Sequence, residues 1–200
     1  MAAQRIAARA PLVDDDVLAR YADLIVAVGA NVQPGQPVEI MTELGNERFL
    51  RVVAERAFQA GASFVDPHYL DPHVIRAQIA LAPFDRLDAY PGWVAERILG
   101  MGRDRAAAIW LSGSNERHLL DDLDPARVGK WRPPGARETT IITNERTWNW
   151  TIAGAPSAGW ARDVYPDLPE DDALVQLWED VAYMARLDAA DPSAASRRAM

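Results

Sequence analysis

The groups in this sequence whose types and spacing could do chemistry are few: three histidines, one lysine, two serines around a glycine, and a run of amides and indoles. His68 and His73 sit in a near-repeat, Asp66-Pro67-His68 and Asp71-Pro72-His73, which puts carboxylate and imidazole ligands within eight residues. The prolines break any shared helix face, an i,i+5 spacing turns two rings apart on a helix, and no HExxH run supplies a general base. The pair therefore reads as a strand-end loop with caps for the next helix, not as a metal site. His118, between Asn115-Glu116-Arg117 and Asp121-Asp122, reads as an exposed helix-surface residue. Ser112-Gly113-Ser114 closes an apolar run but has no His–Asp pair nearby, so a cap and tight turn outweigh a nucleophile.

The run Asn144-Glu145-Arg146-Thr147-Trp148-Asn149-Trp150-Thr151-Ile152 concentrates amides, a guanidinium and indoles. Such a density suits a cleft wall, and equally an edge strand with hydrogen-bonded side chains. Lys130 is the only lysine and lies in a Pro-rich loop; no GxxxxGK[ST] is present. Gly100-Met101-Gly102 precedes an expected strand instead of following one, which disfavours nucleotide binding. Cysteine is absent, which excludes disulfides, Cys-type zinc or iron–sulfur sites and a thiol nucleophile. A net charge of -8 opposes a grip on phosphate backbones, so nucleic acid is not an expected partner. No apolar stretch reaches about 18 residues, so no membrane span is expected and the location reads as cytoplasmic.

The elements that must position these groups follow from periodicity. Val17, Tyr21, Leu24 and Val28, with Leu18 and Ile25 beside them, form one apolar helical stripe behind Asp14 to Asp16, stopped at Gly29. Pro34-Gly35 has the sequence of a type II turn leading to a strand at Val38 to Met41. Asn46 can cap a helix with Phe49, Leu50, Val53, Ala57 and Phe58 inward, ending at Gly61 before a strand at Ser63 to Asp66. Helices are expected over Pro72 to Ala82 and Gly92 to Leu99, and a buried strand over Ala106 to Leu111. Gly129 to Ala136 reads as loop, Thr139 to Thr143 as a strand from its β-branched residues, and Trp148 to Ile152 as a half-buried strand. Pro169 with Glu170 to Asp172 opens a last helix striped by Leu174, Leu177, Trp178, Val181 and Met184. Strands alternating with helices of these lengths predict an α/β fold, a mainly parallel sheet with helices on both faces. The domain is expected over residues 14–188, between a flexible tail at 1–13 and a disordered tail at 189–200.

Several ordered blocks resemble one family. Tyr21 through Gln36, Glu47 to Gly61, Leu111-Ser112-Gly113, Asn144-Glu145-Arg146 with Asn149-Trp150-Thr151-Ile152, Trp160-Ala161 and Pro166-Asp167-Leu168 are similar to the N-terminal domain of the M29 metallo-aminopeptidases, of the thermophilic aminopeptidase T/S type. The resemblance spans about residues 17 to 190. It implies a metal-dependent peptidase acting on peptide N-termini through a divalent metal pair (zinc, cobalt or magnesium) held in a C-terminal domain. The motifs carrying those ligands have no counterpart here, so no catalytic or metal residue is assigned in this chain, and the chain alone is expected to be inactive. Only a substrate-side surface is carried over: Asn144, Arg146, Asn149, Trp150 and Thr151. The resemblance further implies a homodimer or a full-length homologue as partner. The alternative is a non-catalytic binding or dimerisation module derived from that family.

Overall fold

A computed structural model describes residues 13–189 and residue 192. Four strands, β1 (Pro37–Glu43), β2 (Phe64–Leu70), β3 (Ala107–Ser112) and β4 (Asn149–Gly154), form one fully parallel sheet in the order β2-β1-β3-β4. The chain turns back on itself in strand order between β1 and β3. Right-handed crossovers then demand helices on opposite faces. The helix α2 (Glu47–Gln59) covers one face with α1 (Asp15–Leu24) and α8 (Glu170–Met184). The opposite face receives α3 (Pro72–Leu81), α4 (Gly92–Arg103), α5 (Pro125–Lys130) and α6 (Ala136–Asn144). The short α7 (Ala158–Val164) packs on α8 through Ala161, Ala173 and Leu177.

Alternation along the strands sorts the side chains. Val38, Ile40, Ala107, Ile109, Leu111 and Ala153 join Leu18, Tyr21, Phe49, Val53 and Trp178 in the main core. Tyr21 stacks on Phe49 at 5.5 Å, and Trp178 meets both rings edge-on. On the other face Ala108 lies under Ile98, Ile142 and Trp148 in a smaller cluster. Pro37 opens a central strand at its first residue, where the missing N–H costs least.

Most expected elements form, and the departures have physical causes. Residues 139–143, expected as a strand, lie inside α6. Glu138 and Ile142, four apart, turn inward, Thr140 bonds back to the Ala136 carbonyl, and Ile142 packs on Ile98 and Trp148. Tertiary packing outweighs a β propensity worth less than about 1 kcal/mol. The expected loop at 129–136 starts later, because Asp124 caps and Pro125 opens α5, which runs to Lys130. Strand β2 continues past Asp66 through Pro67 and His68 to Leu70; as an edge strand it tolerates a proline. The first helix changes to a π turn over Ile25–Gly29 before Asn31 enters the left-handed region at φ 47°. The side chain of Asn46 makes no cap bond; Glu47 Oε1 accepts the Gly45 N–H instead, at 2.8 Å.

The expected tails at 1–13 and 189–200 lie outside the described residues except for Val13, Ala189 and Pro192. Val13 packs against the main core and its carbonyl accepts from Arg48, while the Ala189 carbonyl accepts from Arg20. Among the described residues no helix is long and apolar enough to cross a membrane.

Candidate functional site

Parallel sheets expose strand C-termini and following helix N-termini along one edge, and ligands gather where the strand order reverses. Here that reversal lies between the ends of β1 and β3. The segment Leu44-Gly45-Asn46 follows β1, and Gly113-Ser114-Asn115 follows β3. Asn115 joins them, its Nδ2 donating to the Leu44 carbonyl at 3.4 Å and its Oδ1 accepting the Gly159 N–H at 3.3 Å. The crevice is closed by the chain itself. A Cβ on Gly113 would lie 1.8 Å from the Ala155 carbonyl oxygen, and one on Gly159 would lie 1.8 Å from that of Asn115. Ser157 caps α7 by accepting the Trp160 N–H and donates to the Ser114 carbonyl at 2.9 Å. Ser114 accepts the Glu116 N–H, so this serine serves a turn.

Below the crevice, the α4 side of the sheet carries a charged half and an aromatic half. On β1 and β2, Glu39 is only 3% exposed. Arg97 of α4 donates to Glu39 Oε1 at 2.7 Å and to Asp66 Oδ2 at 2.6 Å. Burial works against the Arg97 charge, but its hydrogen bonds and charge interactions with Asp66 and Glu39 outweigh this and raise its pKa above the usual arginine value. His68 Nδ1 lies 3.6 Å from Glu39 Oε1, beyond hydrogen-bond distance, and is buried without a partner. On β3 and β4, Trp110 stacks on Trp150 at 6.1 Å and meets Trp148 edge-on. The indole N–H of Trp110 is buried without a partner. Trp150 is 46% and Ile152 56% exposed, leaving an apolar strip along the outer strand.

The five expected surface residues separate. Strand alternation puts Trp150 on this aromatic face, while Asn149 and Thr151 point to the face of the main core. There Asn149 Nδ2 donates to the Asn31 carbonyl at 3.3 Å, and Thr151 fits under Gly29, whose Cβ would lie 2.9 Å from Thr151 Oγ1. Asn144 ends α6 and Arg146 occupies the following turn at φ 55°, both exposed. Sequence reasoning missed the Glu39–Arg97–Asp66 network; the available signal was an isolated Glu inside the apolar strand Val38 to Met41.

The histidines stand apart from one another. His73 begins α3 and bonds Glu116 at 2.8 Å, and His118 pairs with Asp121 at 2.9 Å in an exposed turn rather than on a helix. Asp71 caps α3 as expected, accepting the N–H groups of His73 and Val74. Among the described residues no three His, Asp or Glu side chains could hold a metal ion together. The Arg97 guanidinium occupies the space between Glu39 and Asp66 that a cation beside His68 would need.

Comparison with known proteins gives a consistent result. A family model described as thermophilic metalloprotease (M29) matches residues 14–199. Aminopeptidase T of Thermus thermophilus is 36% identical over 181 residues, covering 89% of this chain and 44% of the relative. Aminopeptidase AmpS of Bacillus subtilis is 32% identical over 176 residues, 86% of this chain and 42% of the relative. The solved structure of wild-type AmpT from Thermus thermophilus matches with a TM-score of 0.74, over 82% of this chain and 42% of that one. The chain thus spans less than half the length of these relatives.

Proposed function

Because this chain belongs to the M29 family of thermophilic metalloproteases, we propose that its α/β domain, residues 14–188, works as the amino-terminal domain of a metallo-aminopeptidase that removes residues from peptide N-termini. The observation that carries this reading is 36% identity with aminopeptidase T over 181 residues, joined to a shared fold. The divalent metal pair of such an enzyme (zinc, cobalt or magnesium) is assigned to residues outside 13–189. The donor groups within the described residues do not fit it, because Arg97 already neutralises the buried carboxylate nearest an imidazole. No step of the reaction is therefore placed on the side chains of the described residues.

The contribution of the domain is one wall of the peptide cleft. Its exposed elements are Trp150, Asn144 and Arg146, with Asn149 and Thr151 fixing the strand from behind. A flat indole braced by Trp110 offers apolar area at low entropic cost to a peptide side chain, and Asn144 and Arg146 offer donors to its carbonyls. A cytoplasmic location, and a homodimer or a full-length homologue as partner, belong to the same reading. A chimera tests it: residues 14–188 replace the matched portion of aminopeptidase T, and leucine anilide hydrolysis is measured. A folded, active chimera that loses turnover on Trp150→Ala supports the reading. A folded chimera with no activity contradicts it.

A further inference from the structure

Charges are unevenly paired around a cavity of about 650 Å³ that opens beside the first turns of α6. Its lining includes Asp88, Tyr90, Arg132, Arg137 and Glu138. Glu138 is 8% exposed, and its Oε2 accepts the Tyr90 hydroxyl at 2.5 Å. No cationic side chain among the described residues lies within ion-pair distance of that carboxylate. Lys130 is engaged by Asp88, its Nζ 2.5 Å from Oδ2. Arg137 is exposed and makes no hydrogen bond or ion pair with another described residue. Arg132, also exposed, spends Nη1 on the Gly129 and Trp131 carbonyls and keeps its other donors.

Glu138 thus presents a carboxylate to the groove with the Tyr90 phenol as its one hydrogen-bond partner among the described residues, and a cation is its natural complement. The guanidinium beside it lacks an anion and prefers a planar, bidentate carboxylate. A plain anion would meet Glu138 and a plain amine would meet two arginines, so only a molecule carrying both signs is complementary. We propose that this groove binds a small zwitterion, an α-amino acid or dipeptide, with its ammonium on Glu138 and its carboxylate on Arg137 and Arg132. The volume leaves room for a side chain beyond the two charged groups. The assignment stands on the groove alone and does not rest on the aminopeptidase reading.

Calorimetric titration of the 200-residue chain with L-leucine, N-acetyl-leucine and leucinamide tests it, with leucyl-leucine added to separate free amino acid from short peptide. Leucine or leucyl-leucine should bind, and blocking either terminus of leucine should weaken binding at least about tenfold, the cost of one charge-assisted hydrogen bond. Arg137→Gln, at an exposed position, should weaken leucine by a similar factor and erase its advantage over leucinamide. Glu138→Gln should erase the advantage over N-acetyl-leucine, its folding checked by the urea midpoint. No binding of any of the four, equal binding of blocked and free forms, or leucine affinity unchanged in Arg137→Gln would overturn the assignment.

Discussion

Replacing Arg97 by Met tests the electrostatics beneath the candidate surface. Methionine keeps most of the aliphatic volume and removes only the guanidinium. Glu39, 3% exposed, then loses the cation that donates to Oε1 at 2.7 Å, while Asp66 keeps water on a side chain 44% exposed. Breaking a fully buried ion pair from one side costs about 3–5 kcal/mol, because an uncompensated charge stays behind. Here the Arg97 side chain is itself 31% exposed, so the lower end applies: about 3 kcal/mol. In a chain of this size that corresponds to a fall in melting temperature of about 10 °C. Urea unfolding at neutral pH, followed by tryptophan fluorescence, gives the difference directly. The double variant Arg97→Met/Glu39→Leu removes the stranded charge and should recover to within about 1 kcal/mol of the parent. A single variant within about 0.5 kcal/mol of the parent, or a double variant less stable than the single one, would mean that Arg97 does not compensate a buried Glu39 charge.

Three further outcomes are expected. Gly113→Ala should cost about 3 kcal/mol or more in urea unfolding, since its Cβ would sit 1.8 Å from a backbone carbonyl that cannot rotate away. Burial pushes the Tyr21 phenol up to about 12 despite its hydrogen bond with the Gly154 backbone. The unfolded chain ionises this phenol near pH 10 while the native chain holds its proton, so stability falls between about pH 10 and 12, by up to about 3 kcal/mol. Tyr21→Phe should lack that component when urea midpoints are compared across this range. Trp150→Ser with Ile152→Ser should lower binding of a hydrophobic dye and cost about 2 kcal/mol in urea unfolding, because each side chain is about half buried and Trp150 stacks on Trp110.

The sequence made the layered architecture legible because its helices carry long apolar stripes and its inner strands short apolar runs. Tyr21 with Leu18 and Ile25 beside it, or Phe49, Leu50, Val53 and Ala57, are buried as their spacing requires, whereas Val17, Leu24 and Val28 are half-buried and Phe58 and Met184, expected on inward stripes, are exposed at the rims of their helices. Local β propensity misled at Thr139 to Thr143, where the deciding contacts come from Ile98 and Trp148, distant in sequence. The same limit applies to the surface residues. Composition marked the run from Asn144 to Ile152, but period-two alternation divides Asn149 and Thr151 from Trp150, and the register that assigns faces is tertiary. The pairing of Glu39, Asp66 and Arg97 joins three separate elements, so no spacing rule along the chain encodes it.

On the function proposed above, this domain supplies a cleft wall and the metal chemistry resides outside the described residues. The decisive measurement is release of chromophore from leucine anilide by the purified 200-residue chain, with added zinc, cobalt or magnesium. No turnover above a chelated blank is expected from this chain alone, and turnover should return when the unmatched remainder of aminopeptidase T is supplied in trans. Metal-dependent turnover by the lone chain that disappears on chelation would contradict it.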